Sequence, residues 1–211
     1  MPGPEIITCE QGSLQWFEAR KGIPTASEFE TLMKRLKSGK TSDTRRAYML
    51  QLAGERLTGE PPEGFGSIYT DRGKALEPRA RDLYAMWANV DPVQVGFIRN
   101  GDTGCSPDSL VGNDGMLEIK TKKPGLLIDA ILSDTFLDEH KAQCQGGLWI
   151  AEREWIDLLV FWPGLPPFSK RAYRDEEYIK ALAAEVATFN EEVAEVVAKV
   201  QAYGAIEALA A

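Results

Sequence analysis

Cys105-Ser106-Pro107-Asp108-Ser109-Leu110-Val111-Gly112-Asn113-Asp114-Gly115-Met116-Leu117-Glu118-Ile119-Lys120-Thr121 is the stretch from which the rest of the chain can be read. Cys105 to Val111 and Met116 to Thr121 are candidate strands, and Gly112-Asn113-Asp114-Gly115 between them is a hairpin turn signal. A hairpin centred on Asn113 sets Asp108 opposite Glu118. Directly opposed side chains have Cβ atoms about 5 Å apart, so two unpaired carboxylates there repel, and a divalent cation between them removes the conflict. Side chains alternate along a strand, so Glu118 and Lys120 share a face while Ile119 points into the core, with its carbonyl available to a metal. Oxygen ligands of this kind suit magnesium or manganese, which hold a phosphate oxygen and activate a water. Lys120 then orients that water or offsets charge in the transition state. On spacing alone, a polar hairpin with an ordinary surface ion pair fits the same residues. Glu139-His140-Lys141 also reads acid-x-lysine, but it falls in an expected helix, where residues two apart do not face one another.

Outward from the hairpin, the pattern on the N-terminal side is helical. Ser13 is a cap for a helix through Lys21, and Thr25 or Ser27 for a second carrying Phe29, Leu32 and Met33. Lys37 to Ser42 reads as a loop, Asp43 to Leu57 as a helix, and Gly59 to Gly66 as a break. A helix from about Thr70 to Ala88 places Ala80, Leu83, Tyr84 and Trp87 on one stripe. Val93, Val95 and Phe97 alternate as in a strand. Beyond the hairpin, Asp138 to Ile150 is helical, weakened by Gly146 and Gly147. Trp155 to Trp162 is apolar enough for a central strand buried on both faces, and Phe168 to Tyr173 follows as an edge strand. From Asp175 onward runs an acidic amphipathic helix with Ile179, Leu182, Val186, Phe189, Val193, Val196 and Val200 on its apolar face. The whole is a mixed α/β fold, read as one domain over residues 1–211.

Composition narrows the chemistry. The 211 residues are 44% hydrophobic and 27% charged, as in a soluble globular protein. No apolar run approaches the ~20 residues of a membrane span, and Met-Pro-Gly-Pro-Glu does not resemble a secretory signal. A cytoplasmic location, with no membrane partner, is expected. Cys9, Cys105 and Cys144 stand too far apart for a disulfide framework or a four-cysteine cluster and read as small hydrophobes. His140 is the only histidine, which excludes sites built on two or more within one chain. Hydrolysis must therefore run on carboxylates, lysine, hydroxyls or thiols. The net charge of −8 is lopsided: eight acids from Asp175 onward face only Lys180 and Lys199. Between Lys34 and Arg46 six bases, Lys34, Arg35, Lys37, Lys40, Arg45 and Arg46, face Asp43 alone. A polyanion or plain solvent fits that run equally well.

Pro-Asp followed by Glu-x-Lys is the core pattern of the PD-(D/E)xK nucleases, and the chain resembles one branch of them, the phage lambda exonuclease family, also called YqaJ-like viral recombinases or alkaline exonucleases. The resemblance runs from about Gln11 to Val193 and rests on four blocks in order. They are Trp16-Phe17-Glu18-Ala19-Arg20 with Thr25-Ala26-Ser27; Gly73 to Ala80 containing Glu77; the hairpin blocks around Asp108 and Glu118; and Ala142-Gln143-Cys144-Gln145 followed by Trp149. It implies a restriction-endonuclease-like core, a small mixed sheet flanked by helices. It implies that Asp108, Glu118 and the Ile119 carbonyl hold metal, that Lys120 is the catalytic lysine, and that Glu77 supports a second metal, directly or through water. Arg20, Thr25, Ser27, Ser106 and Gln143 match a pocket for a terminal 5′-phosphate, whose guanidinium, hydroxyl and amide donors suit a phosphate dianion. Trp16 matches an apolar wedge that parts the end base pair.

The activity so implied is a Mg2+-dependent exonuclease, with two ions per site and Mn2+ able to substitute. It enters double-stranded DNA at an end, hydrolyses the 5′-ended strand to mononucleotides and leaves a 3′ tail. The resemblance further implies a homotrimeric ring, a single-strand annealing protein as partner, and a phage or prophage origin. Two alternatives stand beside it: an endonuclease on the same motif, and a non-catalytic DNA-end binding module.

Overall fold

The computed structural model describes residues 3–34, 41–61 and 68–210. Its strands are β1 (Glu5–Ile7), β2 (Pro92–Val93), β3 (Phe97–Asn100), β4 (Thr103–Cys105), β5 (Ser109–Val111), β6 (Gly115–Thr121), β7 (Trp155–Phe161) and β8 (Phe168–Tyr173). Its helices are α1 (Leu14–Arg20), α2 (Phe29–Met33), α3 (Asp43–Thr58), α4 (Ile68–Ala88), α5 (Pro124–Ser133), α6 (Lys141–Ala151) and α7 (Glu176–Ala210). The strands form two sheets, ordered β1-β3-β4 and β2-β5-β6-β7-β8. Among the strands described, β6 and β7 alone pair in parallel, and the crossover that parallel pairing demands carries α5 and α6.

The hairpin register is the expected one: Ser109 pairs Leu117, Leu110 pairs Met116 and Val111 pairs Gly115. Gly112 takes the turn at φ +57°, a conformation that a side chain disfavours. The strand expected over Cys105 to Val111 is instead two strands in different sheets, interrupted at Ser106-Pro107-Asp108. Pro107 has no N–H to give to a ladder. The expected alternating strand through Val93, Val95 and Phe97 divides in the same way into β2 and β3. Gly96 lies at the break and lets Cys9 pack against the main chain, since a Cβ there would lie 2.3 Å from Cys9 Sγ. Both connections therefore jump between sheets, and Asp108 stands at the seam.

Period-two alternation on β6 and β7 sends Leu117, Ile119, Leu159 and Phe161 to Ala80 and Tyr84 of α4. The other face of the sheet packs Met116 and Ile156 with Leu148 and Ile150 of α6 and with Leu182, Phe189 and Val193 of α7. β7 is accordingly buried along almost its whole length and β8 is an edge. Leu127 and Ala130 of α5 cover Val160 and Phe168. This helix is absent from the sequence expectations, although Pro124 at its first turn and a left-handed Asp134 at its end are ordinary boundary signals. So is β1, which pairs with β3.

Other details correct the reading. Trp87 is 63% exposed, off the buried stripe of α4, and Val200 is half exposed near the end of α7. Neither Thr25 nor Ser27 caps a helix through its side chain; Thr25 precedes a 3-10 turn, Ala26–Glu28, and its hydroxyl is used elsewhere. α6 runs through Gly146 and Gly147, and Gly146 lets the Phe29 ring approach, because a Cβ would meet Phe29 Cδ2 at 2.3 Å. Arg45 is no polyanion contact: it is buried, bonded to Glu185 and Glu192, and ties α3 to α7. Arg35 and, of the loop expected over Lys37 to Ser42, residues 37–40 lie outside the described residues, as do residues 62–66 of the break expected over Gly59 to Gly66. Among the described residues no helix is long and apolar enough to cross a membrane.

Candidate active site

Asp108 sits one residue before β5, at the seam, and its Oδ2 accepts the Ile119 main-chain N–H from β6. Glu118 is buried, and its Oε1 receives Lys120 Nζ at 2.8 Å and Gln143 Nε2 at 2.6 Å. Ile119 points away into the core beneath α4, as alternation requires. Burial, and after it the carboxylates of Glu118 and Glu77, push the Asp108 carboxyl well above the usual range. Burial opposes the Lys120 ammonium, but the charge and hydrogen bond of Glu118, with help from Asp108, more than offset it, and its pKa is raised. Lys120 is therefore a protonated cation and donor rather than a free base. Cys105 and Cys144 flank the same carboxylate, and burial and Glu118 both push their thiols up, which leaves them inert at neutral pH.

Glu77 lines a pocket of about 250 Å³ with Gly73, Ile119, Lys120 and Thr121. Its carboxylate is engaged by Arg81 one helical turn on, rather than by Asp108 or Glu118. Arg81, which the sequence reading missed, is buried, and its Nε donates to Ser109 Oγ at 2.9 Å.

A second polar cluster adjoins the first through Ser106, two residues before Asp108. Ser106 Oγ accepts the Trp16 indole N–H at 2.8 Å, and the Arg20 guanidinium lies 4.1 Å over the Trp16 ring. Arg20 Nη2 donates to Thr25 Oγ1 at 3.2 Å, which lies 3.2 Å from Ser27 Oγ. Arg20, Thr25, Ser27, Ser106 and Trp16 are thus brought together. Gln143 is placed differently from its companions, with its amide donor on Glu118, so it touches the carboxylate centre directly. Trp16 forms a wall under Arg20. Two residues of α3 that the reading did not single out support the cluster: Tyr48 Oη accepts the Thr25 N–H at 3.1 Å, and Glu55 accepts the Gly22 N–H at 2.7 Å. Burial pushes Tyr48 up to about 12, so it remains a neutral phenol. Burial lowers the Arg20 pKa, partly restored by Tyr48, Glu55 and Glu28. No short-range motif marks Tyr48 or Glu55, since they reach the cluster only through the packing of α3.

The donor set at the first cluster fits a hard divalent cation. Asp108, Glu118 and the Ile119 carbonyl all offer oxygen donors, the kind such a cation takes. Among the described residues no three His, Cys, Asp or Glu side chains are gathered as a metal-holding group.

Residues 15–154 match the model of the YqaJ-like viral recombinase domain, a span that contains both clusters. The chain belongs to the YqaJ-like viral recombinase family. The structure of this YqaJ-like chain is similar to an alkaline exonuclease (LHK-Exo) from Laribacter hongkongensis, with a TM-score of 0.83 and 30% identity over 92% of this chain and 98% of that one. The complex of LHK-Exo with dAMP matches equally well. A phage-related exonuclease from Haemophilus somnus 129PT, at 16% identity, shares the fold with a TM-score of 0.66 over 87% of this chain and 99% of that one. Curated protein sequences include no significant match. The YqaJ-like chain thus has the restriction-endonuclease-like fold of phage-related exonucleases, and the family model's span ends before β7, β8 and α7.

Proposed function

We propose that the chain enters double-stranded DNA at an end and, with Mg2+, hydrolyses the 5′-ended strand to 5′-mononucleotides, leaving a 3′ single-stranded tail. A DNA exonuclease is the activity its family supports. The observation that carries the finer reading is the adjacency of the two clusters. Ser106 belongs to the Arg20 cluster and Asp108, two residues on, to the carboxylate centre, so a phosphate held at the first lies beside the second.

Asp108 and Glu118, with the Ile119 carbonyl, would hold the cation, which supplies Lewis-acid activation of phosphate and water when bound. Lys120 carries its proton at Nζ against Glu118 and offsets the charge that builds on the phosphorus centre in the transition state. Gln143 fixes the Glu118 carboxylate by its amide N–H. Water adds to phosphorus as its bond to the departing sugar oxygen breaks, so the remaining strand begins with a new 5′-phosphate. That is the group the guanidinium and hydroxyls of Arg20, Thr25, Ser27 and Ser106 suit, and each cycle regenerates the end the pocket takes. Trp16, whose ring lies under the Arg20 guanidinium, is the wedge of this reading, the side chain that parts the end base pair. A homotrimer and an annealing partner belong to the same reading and rest on the resemblance.

Digestion of a linear duplex labelled separately at its 5′ and 3′ ends, beside a covalently closed circle, tests the reading. The 5′ label leaves first as a mononucleotide, the 3′ label stays on a long single strand, the circle is untouched, and a chelator stops the reaction. Cutting of the circle would make the protein an endonuclease, and binding without hydrolysis an end-binding module.

The pocket has its own test. Wild-type protein digests 5′-phosphorylated ends faster than 5′-hydroxyl ends by about tenfold to a hundredfold, the equivalent of roughly 1.5–3 kcal/mol for charge-assisted hydrogen bonds. Arg20→Ala removes that preference, slowing phosphorylated ends strongly and hydroxyl ends little, at constant salt. Equal losses on both ends would make Arg20 a general backbone contact.

A further inference from the structure

We infer that Arg81 is a positioning residue for the hydrolytic site, holding the Glu77 carboxylate and the Asp108 main chain in a fixed relation so that the acids receive a divalent cation together. The inference rests on the metal-dependent reading above and adds a residue to it.

An arginine four residues after a glutamate on a helix is ordinarily a solvated pair of little consequence. Arg81 is not in that situation. It is 8% exposed, and every side of its guanidinium is engaged. Nη2 donates to Glu77 Oε1 and, at 3.3 Å, to the Asp108 carbonyl; Nε donates to Ser109 Oγ. With its amide turned to accept, Gln94 Oε1 lies 3.0 Å from both Nη1 and Nη2. The Ser109 hydroxyl in turn bonds the Asp108 carbonyl, at 2.5 Å. One rigid, planar cation therefore joins α4, the connection after β2 and the seam where the chain leaves one sheet for the other.

That seam explains why such a group is needed. Asp108 lies outside the ladder of β5 and β6, so strand pairing alone does not fix its main chain. Glu77 comes from a helix, and a glutamate side chain has several rotatable bonds to order. Arg81 constrains both with one side chain. It also places a second cation, after Lys120, beside the acids of the site. By taking Glu77 at Oε1, the guanidinium orients that carboxylate without leaving the helix face that lines the pocket with Lys120. Partners that orient metal ligands from behind commonly change affinity by about 10–100-fold.

The test is binding of Mn2+, followed by the electron paramagnetic resonance of the free ion without DNA, alongside the Mg2+ dependence of hydrolysis and thermal unfolding. Wild type, Arg81→Met, Arg81→Lys, Glu77→Gln and the double variant Glu77→Gln/Arg81→Met are compared. Arg81→Met weakens Mn2+ binding about tenfold or more and raises the Mg2+ needed for half-maximal hydrolysis by a similar factor. Arg81→Lys, which keeps the charge but not the planar fork, recovers part of the loss, and in the Glu77→Gln background Arg81→Met adds less than about twofold. A folded Arg81→Met protein with Mn2+ affinity within about twofold of wild type overturns the inference, as does an undiminished loss in the Glu77→Gln background. If Arg81→Met does not fold, Arg81→Lys decides: weakened Mn2+ binding at unchanged melting temperature supports the role, and unchanged binding overturns it. Failure of wild type itself to bind Mn2+ overturns the metal-dependent reading together with this one, whereas normal wild-type binding with indifferent Arg81 variants overturns this one alone.

Discussion

Lys120→Ala leaves the protein folded and bound to duplex ends but slows hydrolysis by about 10²–10⁴-fold, the range for removing one group that acts on the reacting atoms. Two features lead to this expectation. Lys120 is held at 2.8 Å from Glu118, and the surrounding carboxylates raise its pKa, so its positive charge persists across the working pH. A fixed ammonium does little for ground-state binding of a polyanion that many other contacts hold, but it matters where charge develops. Single-turnover digestion with enzyme in excess isolates the chemical step, and anisotropy of a labelled end measured with Ca2+ isolates binding. Wild-type digestion by Lys120→Ala removes this lysine from the mechanism. Parallel loss of binding and rate makes it a DNA contact instead.

Asp108→Asn abolishes hydrolysis and, at the same time, makes the metal-free protein more stable at pH 8. The Asp108 carboxyl lies well above its ordinary range because burial, then Glu118 and Glu77, disfavour its charged form. A carboxyl whose folded pKa exceeds its unfolded value binds its proton more tightly in the folded protein. Its favourable contribution is present below the ordinary carboxylate range and is lost as pH rises through the raised folded value. Asparagine is neutral throughout, and its amide oxygen accepts the Ile119 N–H as Asp108 Oδ2 does. The gain at pH 8 is on the order of 1–3 kcal/mol, or roughly 2–10 °C in melting temperature for a domain of this size, and it shrinks toward nothing near pH 4. Mg2+ then raises the melting temperature of wild type and not of Asp108→Asn, since only wild type keeps the binding carboxylate. Melts from pH 4 to 8, with a chelator and with Mg2+, measure both effects. A less stable variant at pH 8, or equal stabilisation of both proteins by Mg2+, would contradict the account.

What could be read without coordinates was set by neighbours along the chain. Alternation on either side of Gly112 fixes which side chains of β5 and β6 meet, and that register, carried one residue past the end of β5, points Asp108 toward Glu118. The Ser13 cap, the doubly buried β7, the edge strand β8 and the apolar face at the start of α7 are local in the same sense. Tertiary structure alone decided where that hairpin sits. Gly96 and Pro107 are visible breaks, but a break does not say which sheet each half joins, and it is the joining of two sheets there that puts Asp108 at a seam. The partners that make the residues a site are equally remote: Gln143 reaches Glu118 across 25 positions, Arg81 reaches Ser109 across 28 and Trp16 reaches Ser106 across 90. Arg45, basic by composition, is buried against α7. A residue's own neighbours determine its backbone conformation and the face it presents. What that face meets depends on how the crossover through α5 and α6 and the packing of α3 and α4 bring distant segments together.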